Sequence, residues 1–137
     1  MSVYQRSAAG TVRKRLRAFL ETFSGTPPTP EENRIRLEFV LRARGELVAG
    51  QGELLRLLGP SAAADALGDP DRIAAYAETL AAEAMINEAA GQTERADVIR
   101  KHAVAIAREA QRRTVAPDAQ VDSLIARDGR LDGLGST

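Results

Sequence analysis

The longest helical pattern in the chain, Thr29 to Leu58, constrains the fold more than any other stretch. Thr29-Pro30-Glu31-Glu32 has the form of a capping box: the Thr29 hydroxyl can accept from the Glu32 amide while the Glu32 carboxylate accepts from the Thr29 amide. Pro30 falls at the first helical position, where a missing N–H costs nothing. Beyond it, Ile35, Phe39, Ala43 and Leu47, then Leu54, Leu55 and Leu58, recur at three- and four-residue intervals and predict one apolar stripe along one helix. A stripe of that length needs other helices to cover it.

The remaining segments supply them. Val12, Leu16, Phe19, Leu20 and Phe23 share a face and predict a helix over 3–23, with Ser2 to Gln5 as a possible capping box. Gly25, Pro27 and Pro28 make a stiff connector. Gly59-Pro60 ends the second helix, a short helix fits 61–67, and Gly68 stops it. Asp69-Pro70 then opens a third long helix to about residue 90, with small apolar positions Ile73, Ala77, Leu80 and Ala84. Gly91 breaks the pattern, and Thr93 can cap a fourth helix to about Thr114 with Ala96, Ile99, Ala103, Ile106 and Ala110 on its seam. So short a connection makes helices three and four an antiparallel hairpin. Within it, Ala84, Gly91, Ala96 and Ala103 resemble the small-residue positions of a tetratricopeptide hairpin, but no second copy follows at the roughly 34-residue period of such repeats. The expected fold is all-α: an antiparallel bundle of four main helices plus a short connecting helix. Residues 1–116 form the bundle, and 117–137 form a C-terminal tail with a short helix over 118–127 that docks in cis or in trans.

At 137 residues the chain suits a single domain. Nineteen basic residues balance nineteen acidic ones, so no global field recruits nucleic acid or an anionic membrane. There is no cysteine, which removes disulfides, thiolate metal sites and cysteine nucleophiles. No run reaches the roughly 18–20 apolar residues of a spanning helix, and Arg13, Lys14, Arg15 and Arg17 occupy the place of a signal peptide's apolar region. A cytoplasmic protein is the expectation.

Few residues carry chemistry. His102 is the only histidine, with Ile99 three residues before it, so the Glu-x-x-His pairs of di-iron bundles are missing. Val98, Ile99, Ala105 and Ile106 around it predict a histidine at the edge of the core. Of the helical carboxylates Glu38, Glu46, Glu53, Glu78, Glu83, Glu88 and Glu109, only Glu83, with Asn87, shares a face with Leu80 and Ala84 and could form a buried polar pair. No glycine-rich phosphate loop follows a strand. No catalytic residue, cofactor or metal is therefore expected.

Three features point instead to partners. Gly45, Ala49 and Gly52 flatten one side of the second helix, either for a tight helix crossing or a kink, or for a groove that takes a ligand or another chain. Residues 1–30 hold Arg6, Arg13, Lys14, Arg15 and Arg17 against Glu21 alone, a basic end suited to an acidic partner or to phosphates. Leu124, Ile125, Leu131 and Leu134 make the tail less polar than an ordinary one. Arg34, Glu38, Arg42 and Glu46 alternate in sign on a solvated face. A non-enzymatic interaction or assembly subunit, held by a protein partner or by its own copies, is the expected function. The alternatives are a nucleic-acid module using residues 6–17 and a small-molecule or catalytic bundle.

Overall fold

The computed structural model describes residues 3–23, 25–48 and 50–135, and the side chains of residues 8–129 within these. Ser2 and Ala49, and the side chains of Leu131 and Leu134, lie outside the described residues. The fold is an all-α bundle of seven helices among them: α1 (Val3–Glu21), α2 (Pro30–Val48), α3 (Gly52–Leu57), α4 (Pro60–Leu67), α5 (Pro70–Ala89), α6 (Thr93–Arg113) and α7 (Ala119–Gly135).

Local signals explain most of the boundaries. At the start of α2 the capping box closes as expected: the Thr29 amide donates to Glu32 Oε1 at 3.0 Å and the Glu32 amide to Thr29 Oγ1 at 3.1 Å. Asp69 caps α5, accepting from the Asp71 amide. Gly68 and Gly91, with φ of +84° and +81°, end α4 and the α5–α6 turn in the left-handed backbone that L side chains avoid. At α6, Gln92 rather than Thr93 occupies the cap, with no side-chain hydrogen bond.

The long second helix is divided. It ends at Val48, Gly50 takes φ +86°, and α3 starts at Gly52. Hydrophobic periodicity runs through this break because Leu47 and Leu54 stand seven residues apart, but glycine releases the backbone from the helical well there. The face buried by α2 also differs from the expected stripe: Val40, Ala43, Leu47 and Val48 point inward, whereas Ile35 and, on α3, Leu54 are half-exposed. The alternating charges do lie on the solvated side, with Arg34 bridging Glu31 and Glu38.

Helix α5 is the centre of the bundle. Ile73 to Ala77 and Thr79 to Ala84 are buried, and α1, α2, α4, α6 and α7 all pack against it. Its alanines permit the close approach that this requires. Phe19 of α1 stacks on Phe39 of α2 with centroids 4.0 Å apart, and the Arg36 guanidinium lies 4.0 Å over the Phe23 ring, closing one end of the molecule. Buried Arg72 closes the other: its Nε donates to the Leu47 carbonyl at 2.5 Å and its Nη1 to the Leu67 carbonyl at 3.0 Å. One guanidinium thus satisfies carbonyls in the last turns of α2 and α4, which lack intrahelical partners.

The C-terminal segment is longer and more involved than its composition implied. Asp118 accepts from the Gln120 and Val121 amides and starts α7, while Val121 and Leu124 enter the main core. Helix α7 packs on α6 and α5 of its own chain and continues to Gly135.

Candidate functional site

Helices α2 and α6 both pack against α5 without making a substantial contact with each other. Between them runs an open trough of about 720 Å³, floored by Tyr76, Leu80 and Glu83 of α5. Leu37, Leu41, Arg44, Gly45 and Val48 of α2, continued by Gly50, Gly52, Glu53 and Arg56, form one wall, and Arg95, Val98, Ile99 and His102 of α6 form the other. Glycine makes the space. A Cβ built at Gly45 meets nothing within 4 Å, and one at Gly52 meets only Val48 Cγ2 at 3.5 Å. No second backbone approaches Gly45, so the tight helix crossing is not formed and the flat side of α2 faces the trough.

A polar cluster crosses the floor. Arg44 Nε donates to Thr79 Oγ1 at 3.0 Å, and the Thr79 hydroxyl donates onward to the Tyr76 carbonyl at 2.7 Å. Arg44 Nη2 lies 2.6 Å from Glu83 Oε1, an ion pair whose angle falls outside hydrogen-bond geometry. The same guanidinium sits 5.8 Å from the Tyr76 ring centroid. Glu83 is therefore buried with Arg44, and Asn87 donates to its main-chain carbonyl at 2.9 Å rather than to its carboxylate. Burial, then the nearby Arg44 charge, pushes His102 below its ordinary range. Burial raises the Tyr76 phenol, and Arg44 partly offsets this. The site holds a neutralised ion pair, a phenol and an uncharged imidazole between apolar walls, a combination suited to an amphipathic ligand.

The expected contact residues are dispersed. Arg13 is buried and internal: its Nε donates to Glu78 Oε2 at 2.6 Å, and Nη2 and Nη1 each lie 2.9 Å from an Asp118 oxygen. Lys14, Arg15 and Arg17 are exposed, and Arg15 pairs with Glu46 of α2 at 3.2 Å. Leu124 is part of the core and Ile125 packs against it. Among the described candidates Gly45 and Gly52 line the trough, which also contains His102 and Glu83. Arg44, Tyr76 and Thr79 were not singled out by sequence. The available signal was a threonine within the alanine-rich α5 and an arginine beside the inward-facing Ala43.

These features define an all-α bundle with an open trough between α2 and α6. Comparison with protein-family models, curated proteins and solved structures found no match. Among the described residues no helix is long and apolar enough to cross a membrane, and no group of three His, Cys, Asp or Glu side chains is placed to hold a metal.

Proposed function

We propose that this chain is a non-enzymatic interaction module whose recognition surface is the trough between α2 and α6. The single supporting observation is a missing helix position: two helices flank α5, and the space between them exposes an apolar lining. Leu41 and Val98 on its rims are 45% and 69% exposed. A helix from a partner laid there would complete the layer around α5 and cover those side chains, as in helix-in-groove recognition.

Photo-crosslinking in the cells that make the protein tests this. A benzophenone side chain at Leu41 or Val98 should give a discrete protein adduct that is lost when Gly45→Phe fills the trough, while the same group at exposed Leu57 on α3 should not give that adduct. Identical adducts from all three positions would remove the trough as the recognition surface.

A second reading is supported by the volume itself. About 720 Å³ falls within the roughly 300–1,000 Å³ of small-molecule sites, and the polar floor could orient a headgroup.

A further inference from the structure

The charges around the trough define its ligand more closely, and this deepens the interaction reading just given and rests on it. Helix α2 runs opposite to α5, since Val40 packs with Ala82 and Ile86, Arg44 bonds Thr79, and the Leu47 carbonyl meets Arg72. The α5–α6 turn, with Arg100 of α6 on Glu88 of α5, fixes the other wall in the same way. The trough therefore has ordered ends. Leu37 and Arg95 lie toward the α5–α6 turn, while Tyr76, His102, Arg56 and the carboxylate of Glu53 lie toward the α2–α3 break. Between the ends the one charged pair, Arg44 with Glu83, is internally neutralised, and the neighbouring lining is Leu41, Leu80, Val98 and Ile99.

Each end thus carries an exposed arginine. Among the described residues no carboxylate lies within ion-pair distance of Arg95, and Arg56 has only a 3.9 Å exposed approach to Glu53. From Leu37 to Val48 the α2 wall spans about 16 Å at 1.5 Å per residue, roughly three helical turns.

We infer that the trough receives an amphipathic α-helix of about three turns that carries an acidic residue near each end, opposite Arg95 and Arg56, with apolar residues between them at i, i+3, i+4 and i+7 spacing. The apolar face covers Leu41, Leu80 and Val98, and the two carboxylates set register and exclude basic helices. The floor ion pair stays paired beneath the ligand.

The test is a phage-displayed library of 14-residue helices with Leu, Ile, Phe or Met at the four apolar positions and every other position randomised. It is selected on the full chain, on Gly45→Phe, on Leu41→Arg, and on the double variant Arg56→Glu with Arg95→Glu; circular dichroism verifies that each is folded. The native chain should enrich helices with Asp or Glu near both ends, each acid improving affinity by on the order of threefold, as exposed pairs do. The double variant should enrich Lys or Arg at the same places, and the two blocked variants should enrich neither. Helices that enrich on the native chain without a charge preference would overturn the acidic-helix inference while leaving the trough as the recognition surface. An empty helix selection accompanied by dodecanoate binding that Gly45→Phe abolishes would overturn the inference and assign the trough to a small amphiphile. Enrichment equal on native and blocked chains would overturn the inference and the trough together.

Discussion

Arg13 of α1 reaches Glu78 of α5 at 2.6 Å, and both side chains are largely withdrawn from water. The same guanidinium holds Asp118, the residue that starts α7, and approaches Asp71 at 3.5 Å. Burial works against the charged form of Arg13, but the hydrogen bond to Asp118 and the Glu78 charge outweigh it, so the group is held firmly protonated. Removing it strands Glu78 in a nearly dry site. Arg13→Met should cost about 3 kcal/mol, the scale for breaking a buried pair. Urea unfolding checks this, and a loss below about 1 kcal/mol would mean that water or another cation replaces the guanidinium.

Glu78 gives that cluster a pH signature. Burial raises its carboxyl above the usual 4.5 despite Arg13. A carboxyl whose folded-state pKa is raised binds its proton more tightly in the native than in the unfolded chain, so its contribution to stability improves as pH falls through the raised value. The native protein should therefore gain stability relative to Glu78→Gln between neutral pH and about 4.5, in paired denaturation curves. A constant difference across that range would contradict the burial of this group.

His102 works in the opposite direction. Burial and Arg44 lower it below 6.5, so the unfolded chain takes up a proton where the folded chain resists one. Its contribution is present above 6.5 and is lost as pH falls through 6.5 toward the lower folded value. The imidazole titration followed by NMR should have a midpoint below 6.5, and His102→Gln should lose less stability than the native chain between pH 7 and that midpoint. A midpoint at or above 6.5 would place the ring in water or beside a carboxylate.

Two glycines separate space from backbone. Gly45 lies inside α2 with room for a Cβ, so Gly45→Ala should stabilise by about 1 kcal/mol through helix propensity. Gly50 also has room, but its φ of +86° penalises any L side chain, so Gly50→Ala should destabilise by about 1 kcal/mol. Thermal denaturation of the pair reads the opposite signs directly. A Gly50→Ala variant as stable as the native chain would mean that the α2–α3 break is not held in the left-handed conformation.

Arg72 joins two helix ends. Arg72→Met should lose about 2–3 kcal/mol, because two charge-assisted hydrogen bonds disappear and the Leu47 carbonyl loses its donor, whereas the Leu67 carbonyl keeps the Asp69 amide at 3.1 Å. Hydrogen exchange should accelerate more in the last turn of α2 than in that of α4. Equal acceleration at both ends would show that the Asp69 amide does not hold the α4 end once Arg72 is gone.

The legible parts of this fold are those set by short-range chemistry. Thr29 with Glu32, Asp69 with Pro70, and Gly68 and Gly91 act within a few residues, so the boundaries they mark are visible in the chain. Arg13 is different. Its partners Glu78 and Asp118 stand 65 and 105 residues away, and next to Lys14 and Arg15 it reads as one more surface cation. Ile35 and Leu54 fit an apolar stripe, yet the orientation of a helix is decided by its neighbours, and α5 takes Val40 and Leu47 instead. The helix of the tail runs beyond residue 127 because packing of Val121 and Leu124 overrides the weak helical preference of its Asp and Gly residues. The trough had only half a signal. Gly45 and Gly52 marked one wall, but that α6 stands apart from α2 is a relation between distant segments, and periodicity carries no record of it.

The alanines of α5 bear on how this sequence can change over time. Ala74, Ala75, Ala77, Ala81, Ala82 and Ala84 are all buried against neighbouring helices, and enlarging one costs about 1–3 kcal/mol through overpacking. The exposed arginines and glutamates away from the trough carry no such packing penalty. A copy of this protein that has drifted far from the present sequence is therefore to be recognised by the spacing of its smallest residues along one helix, after the charges that decorate its surface have been rewritten.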